Sequence, residues 1–205
     1  MWFSKILSYL RLARAYIKLN WSMQMEYRWA FVSQALAMFL NNGTWLAFWM
    51  LFFSRFPVVK GWEQADVVTL WAVSAAGFGL GNAFCWNLHN LAAMVSRGEL
   101  DVWMLYPRSL IPHLALGKMS ATAIGDLAFG YFIYIVMVRP DLQHFLLFNL
   151  LVLAVAIVFI GFNLWRGSLA FYFGQAEVLS EQWFFAMITF STYPNCLFDG
   201  WMKIV

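Results

Sequence analysis

The chain has 205 residues, of which 63% are hydrophobic and only 11% charged, against about 25% charged in an ordinary soluble domain. Aromatic residues make up 20%, with 12 Trp among them, and a soluble fold of this length has too little interior to cover so much apolar surface. The composition therefore excludes a soluble globular domain and points to an all-α, polytopic membrane protein. The net charge of +3 is small and no Lys- or Arg-rich run occurs, which argues against a nucleic-acid partner; Cys85 and Cys196 lie far apart and imply neither a disulfide framework nor a metal site.

Residues 1–24 open the chain as an amphipathic helix. Lys5, Ser8, Arg11, Arg14 and Lys18 step by three or four along one stripe, and Phe3, Ile6, Leu7, Leu10, Ala13 and Ile17 occupy the opposite side. The charges leave no uninterrupted apolar core for a cleavable signal peptide. The expectation is an interfacial helix with its basic side toward lipid headgroups.

Residues 29–54 carry no charge and are bracketed by Arg28 and Arg55. That exceeds the roughly 20 residues needed to cross the hydrocarbon core, so a first span is expected there. A loop with Pro57, Gly61, Glu63 and Asp66 follows, then a second span over 67–95. Residues 96–112 are a short hydrophilic interruption. A third span is expected over 114–138, a tight turn at 139–144, and a fourth span over 145–165, whose helix continues past Arg166 toward Gly174. Residues 183–199, broken by Pro194, are short for a full crossing and predict a short or re-entrant element. All five prolines fall in these connections or at that break. The chain stops at 200–205 in apolar residues without a terminating signal, as expected of a piece that lacks a further span.

A cytoplasmic N-terminus puts Lys5, Arg11, Arg14, Lys18, Arg28, Arg97, Arg108, Lys118 and Arg166 on or near the inner side. Arg55, Lys60 and Arg139 then lie outside, and Lys203 is unassigned. The positive-inside rule favours this orientation, which makes the 96–112 loop cytoplasmic.

The polar residues inside the spans are few. Asn41, Asn42 and Thr44 sit at the middle of the first span, where their side chains need partners in another helix or in a water-filled cavity. Asn82, Asn87, His89 and Asn90 form a polar series in the second span, with no ligand spacing. Asp126 is the acidic residue at the centre of a span. An ionised group there costs about 2.5–3.5 kcal/mol on insertion scales and should face the bundle interior. Cation or proton handling, an interhelical gate, and hydrogen bonding to Asn41, Asn42 or Asn82 all remain open for it. Lys118 is roughly 12 Å away along a helix and reaches toward the headgroups instead. Gly77-x-x-x-Gly81 and Gly117-x-x-x-Ala121-x-x-x-Gly125 place small residues on one face, for internal packing or a dimer seam.

Catalytic signatures are absent. The sequence contains no G-x-x-x-x-G-K-[ST], no G-x-S-x-G and no H-E-x-x-H, and His89, His113 and His144 fall at different depths. The 96–112 loop, by contrast, is oddly apolar in its middle. Read as a short helix, Leu100, Trp103, Met104 and Pro107 share one side, with Glu99, Asp101 and Arg108 at its margins. Such a helix lies on the bilayer, docks in another protein's groove, or turns at the interface on Trp103 and Tyr106.

Three places carry a family resemblance. The first is the basic amphipathic helix leading through Met25-Glu26-Tyr27-Arg28 into the first span. The second is Ser96-Arg97-Gly98-Glu99-Leu100-Asp101 with Leu105-Tyr106-Pro107-Arg108. The third is Phe173-Gly174-Gln175-Ala176-Glu177 with Phe190-Ser191-Thr192-Tyr193-Pro194 and Phe198-Asp199-Gly200-Trp201. In these the chain resembles the integral-membrane permease subunits of type 2 ABC transporters, a short bacterial subfamily in particular.

The resemblance implies the type 2 exporter fold, here lacking its last span, in the inner membrane. It implies pairing with a second permease subunit, identical or related. It also implies a separate cytoplasmic ATP-binding subunit that holds the ATP and Mg, so that no cofactor is bound by this chain. Arg97, Gly98, Glu99, Leu100, Asp101, Trp103, Met104 and Pro107 then belong to the helix that contacts the ATPase, and 192–201 to a re-entrant element near the outer face. Asn41, Asn42, Asn82 and Asp126 are the candidates for the substrate path or for interhelical polar contacts. Two other readings stand beside this one: an intramembrane enzyme using Asp126, and a non-catalytic membrane assembly protein.

Overall fold

The fold is that of a computed structural model, which describes residues 2–107, 109–174 and 176–194. Expectations that fall on Arg108, Gln175, residues 195–205 and the side chains of Phe3, Lys5 and Ile6 lie outside the described residues.

An N-terminal helix α1 (Trp2–Glu26) is joined through Tyr27 to α2 (Arg28–Arg55). The loop after α2 folds as a small ribbon, β1 (Val58–Val59) paired antiparallel with β2 (Trp62–Glu63). Its two turn residues, Lys60 and Gly61, have φ of 48° and 86°, the left-handed pair that a two-residue hairpin turn requires. Next come α3 (Gln64–Cys85), a 3₁₀ segment at Trp86–Asn90, α4 (Leu91–Ser96), and the two short helices α5 (Leu100–Met104) and α6 (Leu110–Leu116). Helix α7 (Ala121–Ile133) ends in a π turn at Tyr134–Val138 and is followed by α8 (Leu142–Ser168), α9 (Ala170–Phe173) and α10 (Glu177–Thr192). The chain is thus an all-α bundle.

Four helical stretches among the described residues are long and apolar enough to cross a membrane: Arg28–Arg55, Gln64–Ser96, Ala121–Val138 and Leu142–Phe173. With α10, at 16 residues, being shorter than the roughly 20 a full crossing takes, these four make the bundle. The stretch expected as one span over 114–138 is two helices. Residues 117–120 separate them, and Ser120 caps α7 by accepting the Ala123 N–H at 3.3 Å. The second span is likewise interrupted, by the 3₁₀ turn at Trp86–Asn90.

Local signals explain the other starts. Glu63 N–H donates to Asp66 Oδ2 at 2.9 Å at the head of α3. Asp141 accepts the His144 N–H at 2.8 Å at the head of α8. That backbone hydrogen bond, helped by the His144 side chain, holds the Asp141 carboxyl below its usual range, so the cap weakens only as pH falls through that lowered value.

Helix α3 is the most buried of the four and sits at the centre, against α7 on one side and α8 on the other. Glycines set those approaches. A Cβ at Gly79 would run into the α7 backbone at Ala123 and Leu127, and one at Gly81 would press on Ala156 of α8. Gly125 of α7 lies against the Ala35 carbonyl of α2 in the same way. The small-residue series expected from the sequence is thus used inside this chain. The apolar core built around these contacts is aromatic, including Trp49, Phe53, Trp71, Phe129, Tyr134 and Phe148.

Candidate functional site

Asp126 of α7 is 3% exposed, and Asn42 of α2 donates its amide N–H to Asp126 Oδ1 at 2.6 Å. Asp126 Oδ2 has no hydrogen-bond partner among the described residues, and neither has the indole N–H of Trp71. Both side chains line a cavity of about 260 Å³ between α2, α3, α7 and α10. Asn41, Ser74 and Thr192 add polar groups to its wall, and Trp45, Phe78 and Phe159 add aromatic ones. Both of these atoms have almost no accessible surface, so what the wall offers an occupant is the polar side chains of Asn41, Ser74 and Thr192 among aromatic rings.

Of the four residues expected in the substrate path or in interhelical polar contacts, Asn41, Asn42 and Asp126 meet here. Asn82 does not. It is fully buried in a second polar centre, where its Oδ1 accepts the Asn163 amide at 3.0 Å. At the heart of that centre is Arg166 of α8, with no exposed surface. Its Nε donates to Asn163 Oδ1 at 2.9 Å, and Nη1 to Ser180 Oγ at 2.8 Å and Ser180 O at 3.2 Å. Nη2 donates to His89 Nδ1 at 2.7 Å and to His89 O at 3.1 Å.

Because the guanidinium only donates, His89 Nδ1 accepts and the ring proton is on Nε2, which faces Glu181 Oε1 at 3.2 Å. Glu181 also lies 3.5 Å from Arg166 Nη1, and the guanidinium sits 4.6 Å over the Phe184 ring. The sequence reading puts this arginine on or near the inner side and assigns it no partner. Instead it ties α8 to α10 and to the 3₁₀ turn after α3. The spacing of Asn163 and Arg166, polar residues three apart at the end of an apolar helix, is the signal that could have found it.

Residues 96–112 form the third feature. Leu100 is only 6% exposed and packs with Leu88, Leu91, Met94 and Leu114. Trp103 turns the same way, its ring lying where a side chain at Gly117 would have to go. Of the residues expected to share one side, Leu100 and Trp103 therefore hold the loop to the bundle. The surface turned outward belongs to Val102 at 62%, Met104 at 64% and Leu105 at 84% exposure. Arg97, Glu99, Asp101 and Pro107 are exposed at its margins, and Gly98, with φ of 71°, makes the turn into α5.

Helix α1 braces this loop. Asn20 Nδ2 donates to Leu116 O at 2.8 Å, the Tyr16 hydroxyl meets His113 Nδ1 at 2.8 Å, and Tyr9 meets Ser109 at 2.6 Å. The His113 ring in turn stacks on Tyr106, with centroids 5.0 Å apart. Burial, together with the neighbouring Tyr106, raises the Tyr16 phenol above its usual range. Tyr9, Tyr16 and Asn20 form a third face of α1, between the basic stripe and the apolar one, and a two-sided helical reading passes over it. Arg11, Arg14 and Lys18 stay outside these contacts, on the surface of α1.

Among the described residues no group of three His, Cys, Asp or Glu side chains could hold a metal ion. Comparison with known proteins finds that a family model described as ABC-2 family transporter protein matches residues 39–205. No curated protein and no solved structure matches the chain.

Proposed function

The chain belongs to the ABC-2 family of transporter proteins, and from that premise we propose that it is the permease subunit of an ATP-driven exporter whose ATP is hydrolysed by a separate subunit. The observation that carries this reading is the outward face of α5. Val102, Met104 and Leu105 are exposed on a short helix whose other side is locked into the bundle by Leu100 and Trp103. An apolar helix face presented on a rigid support is what a groove in a partner takes up. The distribution of Lys and Arg supports a cytoplasmic position for it, in the inner membrane with the N-terminus inside.

In this reading the permease works as a pair, with a second copy or a related chain. The cavity holding Asn41, Asn42 and Asp126 is part of the substrate path, while Asn82 serves the Arg166 centre.

The reading is tested by isolating the tagged protein from its own membrane together with its ATP-binding subunit. Met104→Glu combined with Leu105→Glu should abolish co-purification and vanadate-sensitive ATP hydrolysis in the eluate, while the permease still elutes as a single folded species. Undiminished association in that double variant would overturn the coupling role of the loop.

A further inference from the structure

Helix α10 touches both the loop and the cavity. At its start, Arg97 Nη2 lies 3.5 Å from Glu177 Oε1, and in the turn just ahead of it Ser96 Oγ donates to Gly174 O at 3.0 Å. Ala92 of α4 also closes with Ala170 and Ala176 into a small buried cluster. The far end of α10 lines the cavity through Ile188, Thr189 and Thr192. There Ser74 Oγ of α3 donates to Ser191 O at 2.6 Å, and Tyr193 packs edge-on against Trp49, with centroids 5.8 Å apart. Between the two ends, Arg166 holds Ser180 and lies over Phe184.

We propose that α10 is the lever that carries movement of the 96–112 loop to the wall of the Asp126 cavity, with Arg166 as its fulcrum. The holding points differ in the way a lever needs. Arg97 and Glu177 are 61% and 51% exposed, so their pair is weak and exchangeable. Arg166 is sealed and cannot leave its partners without carrying a charge into an apolar interior. From Ser180 the helix runs about 5 Å back to Glu177 and about 18 Å forward to Thr192. A small displacement at the loop end is therefore enlarged at the cavity end.

This inference rests on the coupling reading above, and its test separates the two. Cys85 and Cys196 are replaced by alanine and a single Thr192→Cys is introduced. The chain is then placed in lipid nanodiscs with its ATP-binding subunit and labelled with a water-soluble maleimide, with and without ATP plus vanadate. Nucleotide should change the labelling rate by about five-fold or more, the scale of an ordinary coupling between sites. Arg97→Glu and Glu177→Arg should each weaken that response, and the two together should restore it. Restoration is something a merely structural role for either residue would not produce.

An undiminished response in both single variants would overturn the lever, as would its absence from the parent with the subunit bound, or failure of the double exchange to restore it. If the ATP-binding subunit does not co-elute with the parent at all, the coupling reading itself falls, and the lever falls with it.

Discussion

Arg166 has no contact with solvent, yet it ends in three donor nitrogens that all find acceptors within 3.2 Å. Its removal leaves Ser180 and Asn163 buried, and His89 half-buried, without that partner, and each buried orphan costs about 1–3 kcal/mol. Arg166→Met should therefore lower the thermal unfolding midpoint in detergent markedly. Glu181→Gln, at a half-exposed position 3.5 Å from the guanidinium, should change it by less than about 1 kcal/mol equivalent. Equal effects would mean that the ion pair, and not the hydrogen-bonded centre, holds α10. The sequence places Arg166 at the end of an apolar helix, but not what surrounds it, because Ser180 and Glu181 arrive from a helix whose position no local pattern encodes. Asp126 was more legible. A carboxyl group at mid-span has to turn inward, and Asn42 is one of the few partners the first span offers.

At the scale of elements, the approach of α7 to α2 and α3 depends on positions without a side chain. Gly125→Ala drives a methyl into the Ala35 carbonyl, backbone that has no rotamer to give way. The strain of such overpacking is about 1–3 kcal/mol. Gly161→Ala, where nothing lies within 4 Å, should leave the melting midpoint and the gel-filtration profile unchanged. If the two variants behaved alike, close approach at α7 would not be what assembles the bundle. The apolar runs and the small-residue spacing made these helices legible from composition. The breaks at Trp86–Asn90 and at 117–120 were not, because no proline or charge run marks them and both are set by packing around Asn87 and Ser120. In α5 the period of the helix was readable, but which side faced the bundle was not. Leu100 and Trp103 differ from Met104 and Leu105 in their neighbours, not in their apolarity.

The whole molecule joins a membrane bundle, a cavity walled in part by Asn42 and Asp126, and a short helix held to the bundle by Leu100 and Trp103 with an apolar face left outward. The family match covers residues 39–205 and so takes in the cavity and the loop, but not α1. The bracing of α6 by Tyr9, Tyr16 and Asn20 comes from the structure alone. The central claim is that the face of α5 is where an ATPase meets this permease. It is tested most directly by placing a photoreactive amino acid at position 105 and, in a second sample, at position 157, where Ile157 is 61% exposed on a span. Irradiation in the native membrane should join the ATP-binding subunit to position 105 and leave position 157 joined to lipid. No product with that subunit at 105, or an equal yield at 105 and 157, would contradict the account.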